Sequence, residues 1–122
     1  MDIIDIKNIL ENSKKLLEEL KVALNIESKN ARIKELETKS GEANFWDNTD
    51  NSQKVLKEIK DLKQAISLYN KVYELYEEEE TMYELYIEEN DAELLRELEK
   101  EIGTLKEECE KLKISSLLTG EY

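Results

Sequence analysis

The fold is decided by residues 55–87, which read VLKEIKDLKQAISLYNKVYELYEEEETMYELYI. Apolar and aromatic side chains recur along this stretch at alternating spacings of four and three, which is the repeat of one helix face. This first seam comprises Val55, Ile59, Leu62, Ile66, Tyr69, Tyr73, Tyr76, Glu80, Tyr83 and Ile87. A second seam lies beside it and comprises Ala65, Leu68, Val72, Leu75, Glu79, Met82 and Tyr86. Two adjacent seams predict two packing neighbours, and therefore a bundle rather than a two-stranded coiled coil.

The stretch predicts one long helix over about residues 50–88, roughly 55 Å from end to end at 1.5 Å per residue. Asn90-Asp91 interrupts the pattern and can cap a fourth helix over about residues 91–113. That helix carries its own seam of Leu95, Leu98, Ile102, Leu105, Cys109 and Leu112. Because the link is short, the third and fourth helices are predicted to form a long antiparallel hairpin.

Upstream, three–four spacing predicts a first helix over about residues 2–23 and a second over about residues 27–39. Asn25 separates them, Ser28 is a candidate cap for the second, and Gly41 suits a left-handed position after its end. These two helices are expected to fill the remaining seam of the third. The predicted fold is a single all-α domain over residues 1–122, an elongated, coiled-coil-like antiparallel helical bundle.

Composition supports long helices and excludes several classes of function. The 122 residues include no proline and only three glycines, and 39% of them are charged. The net charge of −12 argues against binding to nucleic-acid phosphates or to an anionic membrane, although a basic protein partner is permitted. No apolar run has the length of a membrane span and no signal peptide opens the chain. Cys109 is the only cysteine, so we expect a reduced, cytoplasmic setting.

The side chains needed for catalysis are nearly absent. The chain has no histidine, so the commonest general base and metal ligand is missing. One cysteine without histidine makes neither a zinc site nor a thiol dyad, and no glycine-rich loop can hold phosphate. We therefore expect no enzymatic activity, no cofactor and no metal. Cys109 lies on a seam, where a small buried hydrophobe is favoured over a redox switch.

Two groups of residues admit a functional interpretation beside a structural one. The run Glu77-Glu78-Glu79-Glu80 suits a docking spot for a basic partner or a weak divalent-ion site, but a solvated stretch that weakens the seam is favoured. The tyrosines of the third helix suit an aromatic binding stripe, but their seam positions favour core or half-buried packing. They are Tyr69, Tyr73, Tyr76, Tyr83 and Tyr86.

Phe45-Trp46 stands in the only stretch without helical periodicity, between the second and third helices. Two large aromatic side chains in a connection suit a partner-facing hot spot. They equally suit a plug at the end of the bundle. The plug is favoured, because an exposed tryptophan in a free loop is costly.

Three motifs, taken together and in order, resemble the bacterial release factor 2 family of class I peptide chain release factors. They are Phe45-Trp46-Asp47 followed by Ser52-Gln53-Lys54, the stretch Glu84-Leu85 to Asn90-Asp91, and the ending Leu117-Leu118-Thr119-Gly120-Glu121-Tyr122. The family's proline before the Phe-Trp pair is replaced here by Ala43-Asn44, and Thr119 and Ser52 stand for its serine and alanine.

The resemblance implies the N-terminal domain of such a factor, which in full length directs termination at UGA and UAA codons. The codon-reading Ser-Pro-Phe and the catalytic Gly-Gly-Gln of the family do not occur in this sequence. The implied partners are the ribosome, at its stalk base and GTPase-associated region, and the GTPase release factor. The motif residues Phe45, Trp46, Asp47, Gly120, Glu121 and Tyr122 are the implied structural or contact positions.

The alternative to that family is a generic acidic helical-bundle scaffold or adaptor. A dimer that forms through an uncovered seam of the chain is also compatible with the pattern.

Overall fold

The computed structural model describes residues 2–118 as four α-helices and one 3-10 turn, with no strand in that range. We number the α-helices α1 to α4 and call the short 3-10 helix the aromatic turn. In chain order the elements are α1 Ile3–Ala23, α2 Ile26–Ser40, the aromatic turn Phe45–Asp47, α3 Thr49–Glu89 and α4 Ala92–Leu118. The all-α prediction is confirmed. None of these helices is long and apolar enough to cross a membrane.

The break between α1 and α2 is made by Asn25 rather than by a serine cap. Asn25 adopts a left-handed backbone with φ 53°, and its side chain makes no capping bond. Asparagine tolerates this conformation better than most residues. The prediction that Ser28 caps α2 is wrong, because α2 already begins at Ile26. Gly41 also differs from expectation: its φ is −89°, and α2 closes through a 3.2 Å bond from its N–H to the Thr38 carbonyl.

The third helix is one uninterrupted element of 41 residues. The Asn48 side chain caps its start by accepting a 3.1 Å bond from the Asn51 N–H. At 1.5 Å per residue α3 is about 60 Å long, slightly more than the sequence predicts. It ends at Asn90, which is left-handed with φ 52° and donates its N–H to the Tyr86 carbonyl at 2.8 Å.

The predicted hairpin of the third and fourth helices is confirmed. The link after α3 is only Asn90 and Asp91, and the Asp91 carboxylate caps the start of α4 by accepting from the Glu93 N–H at 2.8 Å. The charge of Glu101 on α4 contributes to raising the pKa of Glu79 on α3. The two residues lie at similar distances from the link, as expected of two antiparallel helices. The α3–α4 pair makes the most extensive helix–helix contact in the described chain.

The fourth helix extends to Leu118, beyond the predicted end near residue 113. Ser116 continues the seam four residues after Leu112 and is buried, with its hydroxyl donating to the Lys113 carbonyl at 2.7 Å. Because serine is polar, a search for apolar periodicity missed this last inward position.

Along the C-terminal half of α3 the core joins α1, α3 and α4. Along the N-terminal half it joins α2 and α3. Side chains of α1, α3, α4 and the start of α2 form a single cluster. The Tyr69 hydroxyl donates to the Leu17 carbonyl at 3.1 Å and fixes α1 against α3. The N-terminal half of α3 packs against α2 and the aromatic turn. There the ion pairs Arg32–Glu58 at 2.7 Å and Lys63–Glu37 at 3.1 Å bridge α2 and α3, although exposed pairs stabilise little.

The left-handed turn at Asn90 gives a direct test of the hairpin. We expect Asn90→Ala to lower the free energy of unfolding by about 1 kcal/mol, because a Cβ disfavours this backbone conformation and alanine lacks the local bonding of asparagine. Asn90→Gly should change it by less than about 0.5 kcal/mol, since glycine adopts the conformation freely. Urea unfolding followed by circular dichroism measures both. Equal losses for alanine and glycine would contradict this role of the turn.

Candidate protein-interaction surface

The aromatic turn separates its two large side chains. Phe45 is 6% exposed in a turn that packs against α2 and α3, whereas Trp46 is 62% exposed. Their rings still touch edge to face, with centroids 4.9 Å apart. The plug interpretation therefore holds for Phe45 and is wrong for Trp46. In a 3-10 helix successive residues point about 120° apart, so neighbours cannot both face the core.

The remaining motif residues lie apart from that contact or outside the described chain. Asp47 is exposed at the end of the turn. Gly120, Glu121 and Tyr122 lie outside the described residues. The turn also stands near the start of α3, about 45 Å along the helix from Glu77. The sequence candidates within the described residues thus do not converge on one site.

The acidic run on α3 is not a uniformly solvated stretch, which corrects the favoured interpretation. Glu77 and Glu78 are exposed, but Glu79 is 1% exposed and neither carboxylate oxygen has a hydrogen-bond partner. Burial, together with the charges of Glu101 and Glu78, raises the pKa of Glu79 to about 8. The helical repeat explains this, because Glu79 occupies the second seam and is carried inward with it. Within residues 2–118 no three potential ligands are arranged to hold a metal ion.

The tyrosines of α3 pack as their seam positions predict, with one exception. Tyr69 and Tyr76 are buried, and burial raises the pKa of both phenols. Tyr83 and Tyr86 are half-buried, whereas Tyr73 is 41% exposed. The Tyr73 ring stacks on Tyr69 with centroids 6.1 Å apart. Tyr73 is therefore the tyrosine of α3 whose ring is most exposed to solvent.

Cys109 is buried in the core, as expected of a small hydrophobe. Burial raises the pKa of its thiol above the ordinary value, and a hydrogen bond with Ser13 of α1 partly opposes this. A protonated, buried thiol is a poor nucleophile.

A cleft of about 210 Å³ opens between α1 and α3, and no pattern in the sequence predicts it. Its floor is Leu10, Tyr76 and Tyr83; Lys7, Glu11 and Lys14 form the α1 rim, and Glu80 and Glu84 form the α3 rim. A second hollow of about 240 Å³ adjoins it, shares Lys14, Tyr76, Glu80 and Glu84, and adds Tyr73, Glu77 and Thr81. We call the two together the tyrosine cleft. The Tyr76 hydroxyl donates to the Glu80 carboxylate within it.

The negative charge of the chain is concentrated on the same part of the molecule. Residues 72–101, the distal part of the α3–α4 hairpin, carry thirteen acidic and two basic side chains. The rest of the chain carries seventeen acidic and sixteen basic side chains and is nearly neutral. A count by segment would have revealed this polarity from the sequence, whereas the net charge alone conceals it. The distal hairpin therefore projects a strong negative field.

Comparison with known proteins gives consistent matches along the chain. The PCRF domain model matches residues 29–122. Peptide chain release factor 2 of Exiguobacterium sp. is 40% identical over 122 residues, which is 100% of this chain and 33% of that protein. Peptide chain release factor 2 of Clostridium perfringens is 36% identical over 113 residues, or 93% of this chain and 31% of that protein. The chain spans about a third of the length of the curated relatives that it matches.

Proposed function

Because the chain belongs to the PCRF domain family, we propose that it docks and positions a peptide chain release factor on the ribosome. The relatives that it matches are peptide chain release factors 2. The full factor directs translation termination at UGA and UAA codons. The docking site is the stalk base and GTPase-associated region, with the GTPase release factor as a further partner. The cytoplasm is the compartment in which this takes place.

The charge polarity of the hairpin is the observation that carries this proposal. Apart from buried Glu79, the twelve acidic side chains among residues 72–101 are exposed or half-buried, and they repel the phosphates of ribosomal RNA and attract basic proteins. An end that avoids RNA and is held about 60 Å from the aromatic turn by α3 suits contact with a protein-rich site. This domain therefore is proposed to hold its factor through protein contacts rather than through nucleic acid.

The domain is proposed to contribute no chemistry to peptide release. The chain has no histidine, and its single thiol is buried. Hydrolysis of peptidyl-tRNA needs an activated water molecule, and the Tyr76 phenol that bonds to Glu80 is buried with a raised pKa, which makes it a poor nucleophile. We expect the isolated chain to hydrolyse peptidyl-tRNA at the background rate. A measurable rate above buffer would contradict a purely positioning role.

Co-sedimentation with ribosomes tests the docking role. We expect the 122-residue chain to co-sediment with intact ribosomes at low salt and to lose most of this binding when the stalk-base proteins are removed. Binding should weaken as salt rises, because charge attraction supports it. A full-length factor that lacks residues 2–118 should terminate more slowly at limiting concentration. Normal termination by that deletion under all conditions would overturn the proposal.

A further inference from the structure

We propose that the tyrosine cleft between α1 and α3 receives an arginine side chain from a basic protein segment. The inference rests on the proposed function and names the chemistry by which the docking domain holds its protein partner. It concerns one defined surface between α1 and α3 rather than the general acidity of the hairpin.

The shape of the tyrosine cleft suits a flat side chain. Its two hollows of about 210 and 240 Å³ are contiguous through Tyr76, Glu80 and Glu84. The floor is aromatic, with Tyr76 and Tyr83 in one hollow and the partly exposed Tyr73 in the other. A side chain that enters there is covered on one side by rings and remains open to solvent on the other.

The polar groups of the cleft select a cation. Glu77, Glu80 and Glu84 follow one edge of α3 beside the rings. Glu80 accepts from the Tyr76 hydroxyl through one oxygen, which leaves its other oxygen available to a second donor. A guanidinium group can stack on a tyrosine ring and donate two parallel hydrogen bonds to a carboxylate. Lysine lacks that planar fork, so arginine is favoured over lysine.

The two lysines at the cleft limit where the cation can lie. Lys7 and Lys14 stand on the α1 rim, while Glu80 and Glu84 stand on the α3 rim. The described lining of both hollows holds four glutamates and two lysines, so its balance remains negative. An incoming arginine is therefore directed toward the α3 side, where the rings and carboxylates coincide.

The negative electrostatic field of the distal hairpin attracts a basic partner toward the cleft. Residues 72–101, with thirteen acidic and two basic side chains, include all the α3 residues that line the opening. Such a field raises the encounter rate with a basic protein and lowers it with nucleic acid. The alternative occupant is the α1 lysines of a second copy, and a self-association measurement with the cleft variant separates it from an incoming arginine.

Titration of the 122-residue chain with short peptides, followed by amide NMR shifts, tests the cleft directly. The probes are acetylated, amidated tri-arginine and tri-lysine peptides. We expect tri-arginine to shift the signals of Lys14, Tyr83 and Glu84 and to bind at least about threefold more tightly than tri-lysine. Equal affinity for the two peptides, shifts elsewhere on the hairpin, or no shift at the cleft would overturn the inference.

Paired charge variants separate the cleft from general acidity. The double variant Glu77→Gln/Glu84→Gln and its control Glu88→Gln/Glu89→Gln each remove two charges from exposed positions of α3. Only the first pair lines the cleft. We expect the cleft pair to weaken tri-arginine binding about tenfold and the control pair about twofold. Equal losses would show diffuse attraction and overturn the inference.

The same two variants distinguish failure of the cleft from failure of the docking function. If the wild-type chain does not co-sediment with ribosomes, the proposed function is wrong. If the wild-type chain co-sediments and both double variants bind equally, the function stands and the cleft inference is wrong. Selective loss of ribosome binding by Glu77→Gln/Glu84→Gln supports both. Concentration-dependent self-association that the cleft variant abolishes would assign the cleft to a second copy and overturn the proposal.

Discussion

The Glu79→Gln variant is expected to become more stable than the wild-type chain as pH rises, by about 3 kcal/mol more at pH 9 than at pH 5.5. The cause is the burial of a carboxyl group that has no partner. Glu79 is 1% exposed, both of its oxygens lack hydrogen bonds, and its pKa is raised to about 8. Glutamine has nearly the same shape and cannot ionise.

The direction follows from proton binding in the folded and unfolded states. The ordinary pKa of a glutamate is 4.5, and that of buried Glu79 is about 8. Between these values the folded chain holds a proton that the unfolded chain has released, so wild-type stability falls as pH rises. Desolvation is the largest cause, followed by the charges of Glu101 on α4 and Glu78 on α3. The neutral amide removes this loss.

Urea unfolding at several pH values measures the difference between the two chains. Glu88→Gln is the matched control, because Glu88 is an exposed glutamate of the same helix. It should follow the wild-type pH profile to within about 0.5 kcal/mol. Parallel profiles for Glu79→Gln and the wild type would mean that Glu79 is ionised or solvated in the fold. Glu79→Leu provides a second check, since it should stabilise the chain even at pH 5.5 by removing an unpaired polar group.

Phe45→Ala is expected to lower the free energy of unfolding by roughly 3 kcal/mol. Phe45 is 6% exposed and lies outside the main core cluster, where the aromatic turn meets α2 and α3. Its removal leaves a cavity between those elements. We expect the loss to appear first as local unfolding of α2 from the N-terminal half of α3. Hydrogen exchange resolves this, because amides of α2 should exchange faster than those of α4.

Trp46→Ala is the control for that prediction. Trp46 is adjacent in sequence but 62% exposed, so its removal should cost less than about 1 kcal/mol, mostly through the edge contact with Phe45. Thermal unfolding followed by far-UV circular dichroism serves both variants, since it does not depend on the tryptophan. Equal losses for the two variants would mean that both rings support the same core.

Helices and their pairing were predictable because periodicity encodes them directly. The two seams of α3 indicated two neighbours, and the short link at Asn90 indicated the hairpin. The failures occurred where residue type and position disagree. Ser116 is polar yet inward, so apolar periodicity predicts too early an end for α4. Glu79 is charged yet inward, so the run of glutamates predicts a solvated stretch.

The candidate site was less predictable than the fold. Phe45 and Trp46 are both large aromatics, and only the geometry of the turn decides which one is buried. The tyrosine cleft depends on how far α1 sits from α3, a distance that seam positions do not specify. The charge polarity of residues 72–101 was readable in the sequence but is hidden in a net charge taken over the whole chain.

The unbroken course of α3 has a mechanical consequence. It contains no proline or glycine from Thr49 to Glu89, so it has no built-in hinge. A tilt of about 5° at the aromatic turn would sweep the opposite end through about 5 Å, given a lever of about 60 Å. Movement at one end is thus transmitted and amplified at the other. The position of the hairpin tip therefore depends directly on the angle of α3 at the aromatic turn.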